Sequence, residues 1–209
     1  IYGQPARISE LVSIADSFNV PIIEDCAESL GAQFDGKPSG SHGVLAVYSF
    51  NGNKIITTSG GGLLATNDEN IIHRISKLAS QGREGFYHYE HCELGYNYRM
   101  SNVLAGIGLG QLEVLKSRVS KRRLNFTLYS ESLAEIPGLS FQTEIKQSLG
   151  NRWLTVLKIG PSQISMNPRI IFENLKEIKI ESRPAWKPMH MQPLFSDYEL
   201  VTINKKTIN

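Results

Sequence analysis

The sequence has only two cysteines, Cys26 and Cys92, and they are not in CxxC spacing. They fit a reducing cytoplasm, with Cys26 a small core residue. No apolar stretch is long enough to span a bilayer. The chain opens on Ile1 without a basic region or an initiator Met, so no signal peptide is read. An excess of charge of one sign is nearly absent as well. The formal net charge is +2, which predicts no strong attraction to nucleic acid or to a membrane. Lys121-Arg122-Arg123 is the only basic cluster, and it reads as a solvated helix face. There is no internal repeat and no low-complexity segment. What remains is an ordinary globular composition. Hydrophobic residues are 41% and charged residues 20% of 209, enough to bury one good-sized core or two small ones.

Residues 5–18 read as an amphipathic helix, with Ile8, Leu11, Val12, Ala15 and Phe18 at helical spacing and Pro5 in the first turn. Val20 to Glu24 is a short apolar run bounded by Asn19 and Asp25, the pattern of a buried parallel strand. Ligands of such sheets bind at the carboxyl ends of strands, where Asp25 falls. Phe34-Asp35-Gly36-Lys37-Pro38 has turn chemistry. Val44 to Phe50 is the next buried strand. Gly60-Gly61-Gly62 turns into a strand at Leu63–Thr66, and Asn67 or Asp68 caps a helix carrying Ile71, Ile72, Ile75 and Leu78. Residues 81–95 read as a long loop. Ser101 or Asn102 caps a helix to about Glu135, with room for a bend. A strand at Trp153 to Ile159 and a helix at about Pro168 to Glu177 follow.

The chemistry centres on Lys54. It follows a buried strand and Ser49, precedes Gly60-Gly61-Gly62, and has Asp25 upstream. A lysine and an aspartate, each at a strand end, are what a pyridoxal phosphate enzyme needs. The amine condenses with the cofactor aldehyde. The aspartate keeps the pyridine nitrogen protonated, so that the ring accepts electrons. Two other patterns are decoys. His88-x-x-His91-Cys92 lies in an aperiodic loop without a further ligand pair, so no metal site is expected. Gly106-Ile107-Gly108-Leu109-Gly110 follows no strand, so close helix packing is expected rather than a dinucleotide loop.

Five motifs occur in one order. They are Asp25-x-Ala27-Glu28, Ser49-Phe50-x-x-x-Lys54, Gly60-Gly61-Gly62, Gly95-Tyr96-Asn97-Tyr98-Arg99-Met100 and Arg183-Pro184-x-Trp186-Lys187-Pro188-Met189-His190. In these the chain resembles the DegT/DnrJ/EryC1/StrS family of sugar aminotransferases, from Tyr2 to about Tyr198. The resemblance implies an α/β fold of the pyridoxal phosphate (PLP)-dependent transferase type, similar to aspartate aminotransferase. Residues 1–120 would be the C-terminal half of the large mixed-sheet domain. Residues 121–209 would be part of a small C-terminal α+β domain. Family members begin well upstream and continue beyond Ile203–Asn209, so the chain is expected to be a fragment, without the first Gly-Thr phosphate contact and the stacking aromatic.

The resemblance also implies roles. Lys54 and Asp25 would be catalytic and hold the cofactor. Ser49 would bond its phosphate, and Glu28 would lie against its ring. Asn97 would reach the phosphate of the neighbouring subunit's cofactor, making a homodimer with shared sites. Arg99, Trp186, Lys187 and His190 would contact substrate. The implied reaction moves an amino group from glutamate to a 4-keto sugar nucleotide for polysaccharide or glycan synthesis. Trp186-Lys187-Pro188-Met189-His190 is similar to members acting on UDP-linked 4-keto-6-deoxy-N-acetylhexosamines. Lys54 excludes the dehydratase-like variant, in which histidine replaces the lysine. The rival expectation is an inactive fragment that retains only dimer contacts.

Overall fold

The structure is a computed structural model that describes residues 1–160 and 167–201; the terminal run Ile203–Asn209 lies outside the described residues. The chain divides into two compact units, Ile1–Lys158 and Ile159–Asn209. No described helix is long and apolar enough to cross a membrane.

In the first unit, helix α1 spans Ile8–Ser17 and buries Ile8. It starts three residues beyond Pro5, which therefore precedes the first turn rather than occupying it. Strand β1 is Ile23–Asp25, shorter than the apolar run that announced it. It pairs in parallel with β4, Leu45–Ser49, which pairs antiparallel with β5, Gly62–Ala65. The sheet is mixed, in the order β1-β4-β5. β1 is its edge, and Val20 and Ile23 are 56% and 62% exposed rather than buried. Glu24, between Ile23 and Asp25, is the residue turned inward. Its carboxylate accepts backbone N–H groups from Gly40, His42 and Gly43 at 2.7–2.8 Å. Three donors offset the cost of burying this charge and fix the loop ahead of β4.

A second sheet orders β3, Lys37–Pro38, beside β2, Gln33–Phe34, and then β7, Ser148–Leu149. Asp35 and Gly36 join β2 to β3 with φ of 50° and 73°, the two-residue hairpin that Asp-Gly favours. Strands β6, Leu139–Phe141, and β8, Leu157–Ile159, form a two-stranded sheet. Trp153 was expected in that last strand. Instead it sits ahead of β8, because its polar groups bond outside a ladder.

Helix α2, Glu69–Ala79, is capped by Asp68, whose Oδ1 accepts from Asn70 N and Ile71 N. Ser101 caps α3, Asn102–Glu113. Val114, at φ −102° and ψ 5°, ends α3 and starts α4, Leu115–Ser132, so the single expected helix is two. α4 runs through position 120 without interruption. Gly108 is buried in α3, where a Cβ would lie 3.2 Å from Thr58 Cγ2. The close-packing reading holds there; Gly106 and Gly110 face open space. Phe50, Ile55, Ile56, Val119 and Trp153 form the buried core, with Leu30, Tyr48, Met100 and Leu115 against it.

In the second unit, α5 spans Pro168–Glu177, with Asn167 as its cap and Pro168 in its first turn. Two short 3-10 turns, Met189–Met191 and Pro193–Phe195, follow.

Candidate active site

The parallel register sets the site. Asp25 lies opposite Val47, and Cys26 N–H donates to Val47 O at 2.8 Å. Ser49 is two residues past Val47 on the neighbouring strand. Asp25 and Ser49 therefore end adjacent strands at one carboxyl edge, where open α/β sheets bind ligands. Asp25 is exposed, and its Oδ1 accepts from Ala27 N–H at 3.0 Å. Among the described residues Ser49 Oγ accepts one long bond, 3.4 Å, from Asn51 N–H.

The chain then makes a closed excursion. Phe50 N–H donates to Gly61 O, and Thr58 N–H to Phe50 O, each at 3.0 Å. Gly61 takes φ of 94°, and a Cβ there would meet Met100 Cε at 2.6 Å. Within the excursion, Lys54 N–H donates to Asn51 O at 3.0 Å. Ile55 and Ile56 enter the core, so Lys54 sits at the rim with its backbone pinned on both sides.

Trp153, 1% exposed, completes this arrangement. Its Nε1–H donates to Asn53 O at 2.6 Å, and its ring centroid lies 4.5 Å from Lys54 Nζ. Asn151, fully buried, positions it. The amide Nδ2 donates to Glu28 O and Leu30 O, while Oδ1 accepts from Trp153 N–H. Sequence reasoning missed Trp153 and Asn151. Their partners lie about a hundred residues away, and periodicity carries no signal of that.

Two neighbours are kept neutral. Burial pushes the Cys26 thiol up to about 11, with Glu24 and Asp25 adding to the effect, although a Ser29 hydrogen bond opposes it. Burial likewise pushes the Tyr48 phenol up to about 12. Near neutral pH neither supplies a thiolate or phenolate nucleophile.

The remaining expected residues are placed as follows. Glu28 Oε2 accepts from Tyr2 N–H at 2.6 Å. Asn97 is exposed and forms an antiparallel bridge with Ser80, while Tyr96 and Tyr98 stack at 4.9 Å. Met100 anchors this segment against the core beside Gly61. No hydrogen bond among the described residues joins Asn97 or Arg99 to Asp25, Ser49 or Lys54. In the second unit, Trp186 and Arg183 line a cavity of about 700 Å³ with Phe172 and Lys179. Lys187 and His190 do not line it; Lys187 O accepts from Gln192 Nε2 at 3.1 Å. His88 pairs with Glu90, and His91 Nδ1 lies 3.0 Å from Gln81 O.

A profile of the DegT/DnrJ/EryC1/StrS aminotransferase family matches residues 1–207. The chain belongs to this family. It is 52% identical over 195 residues to EpsN of Bacillus subtilis (strain 168), assigned as a pyridoxal phosphate-dependent aminotransferase. That match covers 93% of this chain and 50% of EpsN. It is 34% identical over 197 residues to GDP-perosamine synthase of Escherichia coli O157:H7, covering 94% and 53%. Among solved structures, Helicobacter pylori PseC, an aminotransferase of pseudoaminic acid biosynthesis, superposes with a TM-score of 0.86 at 20% identity. It covers 97% of this chain and 55% of PseC, and so supports the fold. The fold is thus that of a PLP-dependent sugar aminotransferase, and the family is enzymatic. The chain spans about half the length of the curated relatives it matches.

The family cofactor is pyridoxal 5'-phosphate. The donor set of the two strand ends and the loop after Ser49 fits it. Asp25 offers a carboxylate for a ring nitrogen, Ser49 a weakly engaged hydroxyl for a phosphate, and Lys54 an amine for an aldehyde.

Proposed function

We propose that the full protein transfers an amino group from glutamate to a 4-keto sugar nucleotide, using pyridoxal 5'-phosphate held by this chain. The observation that supports the reading is the parallel register, which ends Asp25 and Ser49 at one edge, with Lys54 in the loop that follows Ser49. The kinship with EpsN and GDP-perosamine synthase supports the substrate class. A UDP-linked 4-keto-6-deoxy-N-acetylhexosamine is the substrate that the Trp186–His190 segment favours.

The cofactor supplies the electron sink for the substrate carbanion. The chain's own residues do the rest. Lys54 Nζ would hold the cofactor, and its amine would be the base that moves a proton at the substrate carbon. Such acid–base transfer is worth about 10²–10⁴ in rate. Asp25 holds the proton on the ring nitrogen, where its charge is compensated. Ser49 Oγ donates to the phosphate, and Glu28 lies against the ring. Asn97 serves the partner subunit's phosphate in a homodimer. Arg99, Trp186, Lys187 and His190 contact substrate. Residues 1–120 complete the large domain and 121–209 open the small one. The setting is the cytoplasm.

A second reading, an inactive segment with dimer contacts alone, is favoured by the half-length match. The deciding experiment supplies the full-length protein with PLP, glutamate, and UDP-, GDP- and dTDP-linked 4-keto sugars. An amino-sugar product by mass spectrometry is expected. Its absence from every donor–acceptor pair would reject the reading. Residues 1–209 by themselves are expected to yield no product.

A further inference from the structure

We propose that the cavity beside Lys54 is a diphosphate site, which holds the anionic part of the sugar-nucleotide substrate. The inference deepens the function proposed above and rests on it. The cavity measures about 350 Å³ and lies between the Lys54–Thr57 segment and one face of α4. Lys54, Arg118, Lys121 and Arg122 line it together with Thr57 and Asn125, and no carboxylate does.

The α4 residues fall at i, i+3, i+4 and i+7, which a helix places on one face. Like charges at these spacings destabilise an isolated helix, so the cluster calls for a countercharge. No carboxylate among the described residues pairs with Arg118, Lys121 or Arg122. The contrast with Arg123 is direct. One residue further round the helix, it bonds both Glu144 oxygens and Gly150 O. The 121–123 run is therefore not one solvated face. Arg123 turns to a fixed structural partner, while its neighbours turn to the cavity. The same pairing holds for Arg7, Arg74, Arg152, Arg169 and Arg183, each of which meets a carboxylate.

Two guanidinium groups at i and i+4 stand on Cβ atoms about 5–6 Å apart. Each presents a planar fork suited to a phosphate. Two adjacent phosphates fit that pair better than one. Thr57 and Asn125 add neutral polar groups. With Lys54 on the wall, an anion on Arg118 and Arg122 leaves the attached sugar next to the reacting amine. The cofactor's single phosphate belongs instead at the Ser49 edge, and Ser49 does not line this cavity.

The test is calorimetric titration of the full-length, cofactor-loaded protein with inorganic pyrophosphate and, separately, inorganic phosphate. Pyrophosphate is expected to bind more tightly than phosphate. Arg118→Gln and Arg122→Gln should each weaken it roughly tenfold, the loss of one charged hydrogen-bonding partner. Arg118→Lys should recover part of that loss. The visible absorption of the bound cofactor should stay unchanged, which shows that the variants fold. In steady state, Arg118→Gln should raise KM for the sugar nucleotide about tenfold and leave KM for glutamate as it was. Pyrophosphate affinity indifferent to both arginines would overturn the site. Loss of cofactor in parallel with pyrophosphate would overturn it too, by assigning the cavity to the cofactor phosphate. Arginine-dependent pyrophosphate binding in a protein that transfers no amino group would overturn only the sugar-nucleotide assignment.

Discussion

Trp153 holds the Lys54 loop from two directions: its Nε1–H donates to Asn53 O at 2.6 Å, and its ring lies 4.5 Å from Lys54 Nζ. Trp153→Phe keeps a ring under the lysine and removes one hydrogen bond, so it should cost about 0.5–1.5 kcal/mol. Trp153→Ala opens the core and should cost about 3–5 kcal/mol. Urea unfolding of the full-length protein measures both. An alanine variant as stable as the phenylalanine one would mean that the ring does not support the loop.

Acid should loosen the same region. Burial works to raise the Glu144 carboxyl, but the Arg123 hydrogen bond, the Gly150 N–H and the charges of Arg123 and Arg152 outweigh it. The net effect holds Glu144 below its ordinary value. A carboxyl lowered in the folded state stabilises the fold above its unfolded pKa, about 4.3. That contribution is lost as pH falls through the lower folded value. Glu144→Gln should remove this part of the acid limb. Denaturant midpoints between pH 3 and 6 provide the check; an unchanged slope in the variant would discount the network.

Asp25→Asn should keep much of the cofactor and lose most of the amino transfer. An amide cannot hold the ring nitrogen's proton as a carboxylate does, and a misplaced electrostatic partner costs about 10²–10³ in rate. Single-turnover reaction with glutamate, followed by absorbance, is the assay. A rate within a few-fold of wild type would remove Asp25 from the ring.

Asn97 is exposed on a segment bridged to Ser80, and among the described residues no hydrogen bond joins it to Asp25, Ser49 or Lys54. If it serves a partner, mixing inactive Lys54→Ala and Asn97→Ala proteins should partly restore activity, because one site of each mixed dimer is intact. No recovery, with subunit exchange shown independently, would place Asn97 elsewhere.

The legible parts of this fold are those with local signals. α2 was visible in Ile71, Ile75 and Leu78 and in the Asp68 cap, and α5 in its Pro168 start. The Asp35-Gly36 hairpin announced itself in two residues. The strand-to-lysine order was readable, because Ser49, Lys54 and three glycines lie within fourteen positions. The rest depended on distant contacts. Nothing local marks Val114 as the break between α3 and α4. Val20 and Ile23 read as buried, yet β1 lies at a sheet edge in this chain. Trp153 read as a strand residue because its aromatic character fits a strand, whereas its indole N–H was committed to Asn53. The separation of Arg123 from Arg122 required knowing where Glu144 falls.

In the proposed function Lys54 carries the cofactor. Borohydride reduction of the full-length, PLP-loaded protein, followed by peptide mapping, tests it most directly. The predicted result is loss of the visible band and a single pyridoxyl adduct on Lys54, absent from Lys54→Ala. An adduct on Lys37 or any other lysine, with Lys54 unmodified, would contradict the account.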